Sequence, residues 1–272
     1  MQHAPQANPP GTLDTEEVDR FARLSREWWD PRGKFGALHR IGPARLSFLR
    51  DQLVGHFGGR GTRAEGLRPL QGLSVLDVGC GGGLIAEPLA RLGARLTGLD
   101  PAAENVAAAR RHAAGQGLDI AYRAGRVEEL AVEGLAFDAV VCLEVVEHVP
   151  DPAAFLAACA GLVRPGGLLL LSTLNRTLKA YLLAIIGGEY VLRWLPVGTH
   201  RWERFITPDE LTRYLRAAGL EAPTIKGLVY SPLADVWSLG TDTDVNYLAS
   251  ASKRVGPGSF SRTEAPGPPR PR

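Results

Sequence analysis

Cysteine is scarce in this chain, with three in 272 residues. An odd, small number without zinc-type spacing excludes a disulfide framework and matches no zinc pattern. Cys80 and Cys142 lie in apolar runs that read as strand ends. Buried, reduced thiols of a cytosolic protein are therefore expected. Long hydrophobic runs are also missing, and none approaches the ~20 residues that span a bilayer. The opening residues, MQHAPQANPPG, lack the apolar stretch of a signal peptide. The expectation is a cytoplasmic protein, soluble or peripheral on the cytoplasmic face of a membrane. Charge of one sign is not in excess: 31 Lys and Arg against 29 Asp and Glu leave +2, so no nucleic-acid partner is expected. What the chain does have is 45% hydrophobic residues, ample for one core.

Residues 1–12 and 256–272 are rich in Pro with Gln, Ala or Gly, and are expected to be disordered. Residues 13–255 form one domain. N-terminal helices are expected over 13–57, with Asp14 capping a first helix that runs through EEVDRFARLSREWWD and Pro43 opening a second. A Gly- and Arg-rich linker covers 58–70. From Leu73 the pattern alternates short β runs with helical stretches, and the core spans 71–173. Such alternation implies a doubly wound α/β fold, a mostly parallel sheet with helices on both faces. Seven strands are expected, near 74–78, 95–99, 119–122, 137–143, 168–172, 224–230 and 245–248. Residues 174–206 interrupt the alternation as a helical insertion or lid after the fifth strand. Thr207 and Pro208 then open a helix that Gly219 closes, within a last section over 207–255.

The chemistry begins at VLDVGCGGG, where a strand meets four glycines in five positions. Gly79 and Gly81 allow a tight turn and close approach to a ligand, and ligands of open parallel sheets sit beyond the strand ends. The next strand ends in GLD, and Asp100 stands about twenty residues after the glycines, where a carboxylate accepts ribose hydroxyls. A dinucleotide reading expects G-x-G-x-x-G, whereas this turn is G-x-G-G-G with Asp77 two residues before it. That extra acid suits a cationic amino-acid cofactor better than a pyrophosphate. The turn looks like the first signature of class I methyltransferases, which use S-adenosylmethionine. The acid that related enzymes carry after the third strand has no plain counterpart in YRAGRVE. Backbone carbonyls or Glu128 are left to recognise the adenine.

The fourth strand ends in CLEVVEHV, at the place that faces both cofactor and acceptor. Glu144, Glu147 and His148 are spaced i, i+3, i+4, one face if the segment is helical. Two roles stay open. His148, with Glu144, can act as the catalytic base on an acceptor hydroxyl. Alternatively all three hold a divalent metal, magnesium, that lowers the hydroxyl pKa. The plainer alternative is two exposed glutamates and a histidine capping the loop before Pro150.

WWDPRGKFGALHRIGPARLSFL, LDVGCGGGLIAEPLARLGARLTGLD, CLEVVEHVPDP, RPGGLLLLSTLNRT, GGEYVLRWLPVGTHRWERFITPDEL and DVNYL occur in this order. Over residues 18–250 the chain thereby resembles the ubiquinone-biosynthesis O-methyltransferases. The resemblance implies a Rossmann-like class I methyltransferase making two O-methylations of polyprenylated catechol and hydroxyquinol intermediates. It also implies cofactor contacts at Arg45, Gly79, Asp100 and Leu143, and a metal at Glu144, Glu147 and His148. Arg45 would pair with the methionine carboxylate. Gly42 departs from the family's Asn before Pro43.

In the insertion, Leu178, Tyr181, Leu182, Ile185 and Ile186 make an apolar face beside Arg176, Lys179, Arg193, Arg201, Arg204, Trp194 and Trp202. Basic and aromatic residues around a short apolar helix suit contact of residues 176–204 with an anionic membrane. A lid over the active site would bury the same residues, and the two readings can coexist. Two other functions compete: a methyltransferase for another small phenol, and a noncatalytic cofactor-binding scaffold within a biosynthetic complex.

Overall fold

The computed structural model describes residues 14–58, 66–191 and 201–255. The expected disordered ends, most of the linker, and Arg193 and Trp194 lie outside them. Strand β1 (Ser74–Val78) has its last four residues buried, as a strand covered on both faces requires. Four more parallel strands share its sheet: β2 (Arg95–Asp100), β3 (Ala121–Ala124), β4 (Phe137–Leu143) and β5 (Val163–Leu174). Three further strands close it antiparallel, β6 (Thr224–Ser231), β7 (Val236–Gly240) and β8 (Asn246–Ser252). The spatial order is β3-β2-β1-β4-β5-β8-β6-β7.

Alternate residues of the central strands feed two cores. Helices α2 (Gly36–Phe57), α3 (Ala86–Arg91) and α4 (Ala103–Gly115) cover the face that carries Val75, Ala139, Val141 and Leu170. Helices α5 (Val127–Val132), α6 (Pro152–Gly161) and α8 (Pro208–Ala217) cover the face that carries Leu76, Val140, Cys142 and Leu171. All three cysteines are buried and free. Helix α8 starts on a capping box, Thr207 with Glu210, and Gly219 follows it at a φ of 83°.

Four expectations change. The sheet has eight strands, because β7 forms a hairpin with β6. Its side chains Trp237 and Leu239 pack on the α2 core, although Pro, Gly and Asp around this five-residue run read as loop. The first helix, α1, covers only Thr15–Arg23 and gives way to a 3-10 turn at Ser25–Glu27, so Trp28 and Trp29 leave its axis. Helix α2 begins seven residues before Pro43, which sits inside it. Buried Gly36 and Ile41, with His39 Nε2 on the Trp28 carbonyl at 2.8 Å, hold the turns that proline would otherwise break. Helix α5, just after β3, was not legible. The insertion starts as α7 (Leu178–Ala180), capped by Thr177, and runs on as wide π-type turns over Tyr181–Val191.

Candidate active site

At the end of β1 the chain turns through Gly79 and Gly81, whose φ angles of 74° and 51° lie where a Cβ is costly. Space is short there as well. A Cβ on Gly79 would come within 2.4 Å of Val145 Cγ2, and one on Gly81 within 2.4 Å of the Trp28 ring. Sequence reasoning assigned these glycines to a ligand alone; the turn also admits a tryptophan from 53 residues upstream. Asp100 ties the turn down. Its Oδ2 accepts from Gly81 N at 2.9 Å, and its Oδ1 from Ala102 N at 2.9 Å and Asn105 Nδ2 at 3.1 Å. A carboxylate offers about four lone-pair sites, so roughly one remains for a ribose hydroxyl rather than two. Burial holds the Asp100 carboxyl above its ordinary range, although these three bonds pull it down.

Asp77 is 3% exposed, and its Oδ2 has no hydrogen-bond partner. Burial first, then the charge of Asp100, pushes its pKa up to about 8. A buried carboxylate beside a second one is a seat for a cation.

The N-terminal segment closes over this turn. Trp28 stacks on Phe35 with ring centres 3.8 Å apart, and its Nε1 donates to Asn105 Oδ1 at 2.9 Å. Trp29 Nε1 donates to the Gly82 carbonyl at 2.9 Å, while its ring stacks on His112 at 3.5 Å. His112 Nδ1 in turn lies 2.7 Å from Glu87 Oε1. The WWD motif thus positions the cofactor end, a role that no local pattern announces.

Beyond β4 the predicted trio separates. Glu144 has a φ of 54°, a strained position for a non-glycine residue. It is held there by Arg45 Nη2 at 2.7 Å and by Ser172 Oγ at 2.6 Å, both on its Oε1. Val146–His148 form one 3-10 turn, so the expected helical face from Glu144 to His148 is absent. Glu147 is buried, with Oε2 accepting from Thr173 Oγ1 at 2.9 Å and Oε1 without a partner. Burial, and then Glu144, raises its pKa to about 8. His148 and Glu144 line the main cavity. Among the described residues no three His, Cys, Asp or Glu side chains gather as a metal needs. Arg45 is buried against Glu144, and its Nε has no partner.

One cavity of about 920 Å³ joins these groups. It begins at Asp77, Gly79 and Asp100, passes Leu143, Glu144 and His148, and continues along Leu174, Leu183, Leu228, Tyr230 and Trp237. Acids and glycines cluster with Trp28 and Phe35 at the turn, and Leu174, Leu183, Leu228 and Trp237 supply apolar wall elsewhere. That volume, with both acids and apolar side chains in the lining, suits two ligands, one charged and one lipophilic.

A family model described as a methyltransferase domain matches residues 76–171. The magnesium protoporphyrin IX methyltransferase of Synechocystis, solved with bound SAH, superposes with a TM-score of 0.59 at 23% identity, over 86% of this chain and 94% of that one. The shared fold is therefore the class I methyltransferase fold. Sequence relatives are much nearer. The ubiquinone biosynthesis O-methyltransferase of Azorhizobium caulinodans is 54% identical over 237 residues, covering 87% of this chain and 92% of the relative. That of Methylocella silvestris is 52% identical over 252 residues, covering 90% and 96%. At that identity over nearly the full length of both relatives, the chain belongs to the family of ubiquinone biosynthesis O-methyltransferases.

Proposed function

We propose that this chain methylates hydroxyl groups of polyprenylated catechol and hydroxyquinol intermediates of ubiquinone biosynthesis, at two steps, with S-adenosylmethionine as donor. The observation that carries the reading is one cavity lined both by Asp77, whose Oδ2 has no partner, and by the apolar Leu174, Leu183, Leu228 and Trp237. Family membership supplies the acceptor class. S-adenosylmethionine, when bound, supplies a methyl group on a sulfonium.

The residues fit that donor. Asp77 Oδ2 would hold its ammonium, the open site on Asp100 would take a ribose hydroxyl, and the unpartnered Nε of Arg45 would bond its carboxylate. Gly79 and Gly81 bring backbone close, and Leu143 flanks the passage to the acceptor. Here the chain's work is to orient and to exclude water, because methyl transfer to a phenolate removes charge rather than creating it. His148 takes the acceptor's hydroxyl proton on its imidazole nitrogen. Glu144, pinned between Arg45 and Ser172, fixes the wall beside it.

A magnesium ion at Glu144, Glu147 and His148 does not fit this arrangement. Glu144 would have to leave Arg45, and Glu147 would have to turn from Thr173 toward the cavity. No step is routed through a metal. The decisive experiment is transfer of labelled methyl from S-adenosylmethionine to a short-chain prenylated catechol, with EDTA and with added Mg²⁺. Turnover is expected. Insensitivity to EDTA supports His148 as a metal-free base, and loss restored by Mg²⁺ shows that the trio regroups around the ion. No turnover at all, with cofactor bound, overturns the assigned acceptor.

The same reading places the chain on the cytoplasmic face of an anionic membrane, where its lipophilic acceptor resides. No described helix is long and apolar enough to cross a membrane. Instead, Leu178, Leu182 and Leu183 are 70%, 49% and 56% exposed, and Leu183 also lines the cavity. Partners in a biosynthetic complex would dock from that side.

A further inference from the structure

Asn246 opens β8 and is 6% exposed, yet its Oδ1 has no hydrogen-bond partner. Its buried neighbours do not share this deficit. Ser172 donates to Glu144, Thr173 to Glu147, and Asn175 to the Thr243 carbonyl at 2.9 Å. A buried amide oxygen left bare is destabilising in the free protein, so its retention calls for a partner that arrives from outside. The cavity supplies the route, since Asn246 is part of its lining.

The sheet register says where on the acceptor this amide falls. Asn246 lies opposite Leu174 on β5, and Leu174 follows Ser172, the residue that holds Glu144, by two positions on the same face. Ser172 is itself opposite Leu143 on β4. Strand β8 is two strands from β4, a lateral distance of about 10 Å at the usual spacing. An aromatic acceptor with one oxygen at the β4 end and its ring laid across β5 would bring another ring substituent toward β8. Leu174, Leu228 and Val245 line the cavity with Asn246, and Lys179, Tyr230 and Asp242 also belong to the lining. A carboxamide has both an acceptor and two donors, so it binds a hydroxyl in either of its orientations.

We propose that Asn246 is a positioning residue that hydrogen-bonds a ring hydroxyl other than the one being methylated, selecting acceptors with two ring oxygens over simple phenols. The inference rests on the phenolic reading above and adds a determinant of which phenol is accepted.

The test is calorimetric binding of a short-chain prenylated catechol, and of the matching monophenol, to the chain saturated with S-adenosylhomocysteine. Wild type is compared with Asn246→Leu, which keeps the volume, and with Asn246→Ala. The expected result is a catechol affinity about tenfold weaker in both variants, with monophenol and S-adenosylhomocysteine affinities unchanged. Because Leu removes a bare buried amide, the Tm of free Asn246→Leu stays level or rises. Equal weakening for both phenols, no weakening for either, or a lower Tm for the Leu variant overturns the proposal and returns Asn246 to a structural role. Wild type that methylates the catechol while the Leu variant keeps the full preference sinks the inference alone. Wild type that binds neither phenol sinks the phenolic reading with it.

Discussion

On the proposed reading, Asp77 would serve binding at the expense of the free fold. Its pKa of about 8 means that the folded chain binds more protons than the unfolded chain between pH 4 and 8. Stability contributed at this site therefore falls as pH rises through that window. Asp77→Asn is expected to match or exceed wild type in Tm at pH 8.5, with the difference shrinking by pH 5. The same substitution should weaken S-adenosylhomocysteine binding by about 10- to 100-fold, the worth of a hydrogen bond to a charged group. In wild type, affinity should rise from pH 6 to 8 with release of a proton, because Asp77 must ionise to pair with the ammonium. Calorimetry in buffers of different ionisation enthalpy checks this, and pH-independent binding would refute the pairing. At this scale the placing of the glycines, Asp77 and Asp100 around one turn was legible, since it is written in spacing along β1, the turn, α3 and β2. Asn246, the φ of Glu144 and the seat of Trp28 were not, because each depends on a neighbour far away in sequence.

Among the elements, the insertion is divided between two environments. Ala180 and Ile185 are buried with Leu174 and Phe205, whereas Leu182 and Ile186 face outward. The expected single apolar face is thus split, with Ile185 given to the protein. The start of the insertion is fastened to the β7–β8 loop. Lys179 Nζ lies 2.5 Å from Asp242 Oδ2 and 3.3 Å from Asp244 Oδ2, and Thr177 Oγ1 donates to the Asp244 carbonyl. On the membrane reading, the outer residues would enter an anionic bilayer without disturbing that anchor. Leu182→Glu combined with Ile186→Glu is expected to leave the Tm within a degree or two, since exposed substitutions change stability by about 0.5 kcal/mol or less. Flotation with liposomes of anionic lipid should drop several-fold. Undiminished flotation by the folded variant would remove this surface from the membrane reading. Caps announced the element ends well, as at Thr207 and Gly219. Strand β7 escaped because half-exposed five-residue strands lack a periodic signal, and α2 because packing upstream of Pro43 outweighs the proline rule.

For the molecule as a whole, the cofactor end of the cavity is assembled from parts that are distant in sequence. Trp28 bonds to Asn105, Asn105 to Asp100, and Asp100 to Gly81, so the N-terminal segment braces the turn between β1 and β2. Trp28→Ala is expected to cost about 3–5 kcal/mol of stability, the usual range for emptying a buried aromatic site. Cofactor affinity should fall further than in a core variant of equal cost elsewhere, for example Leu156→Ala in α6, which is buried away from the cavity. Thermal shift with and without S-adenosylhomocysteine compares the two. Equal ligand-induced shifts would reduce Trp28 to ordinary packing.

The strand order carries a different consequence, one of timing. Among the described strands β8 comes last in the chain, yet it lies between β5 and β6 rather than at an edge. Until Asn246–Ser252 emerges, the β6–β7 hairpin has no place on the sheet and β5 keeps an open flank with the apolar run Leu168–Leu171 beside it. The nascent chain must therefore wait for its final section before the cavity can close, and through that interval β5 is the natural surface for a chaperone to shield.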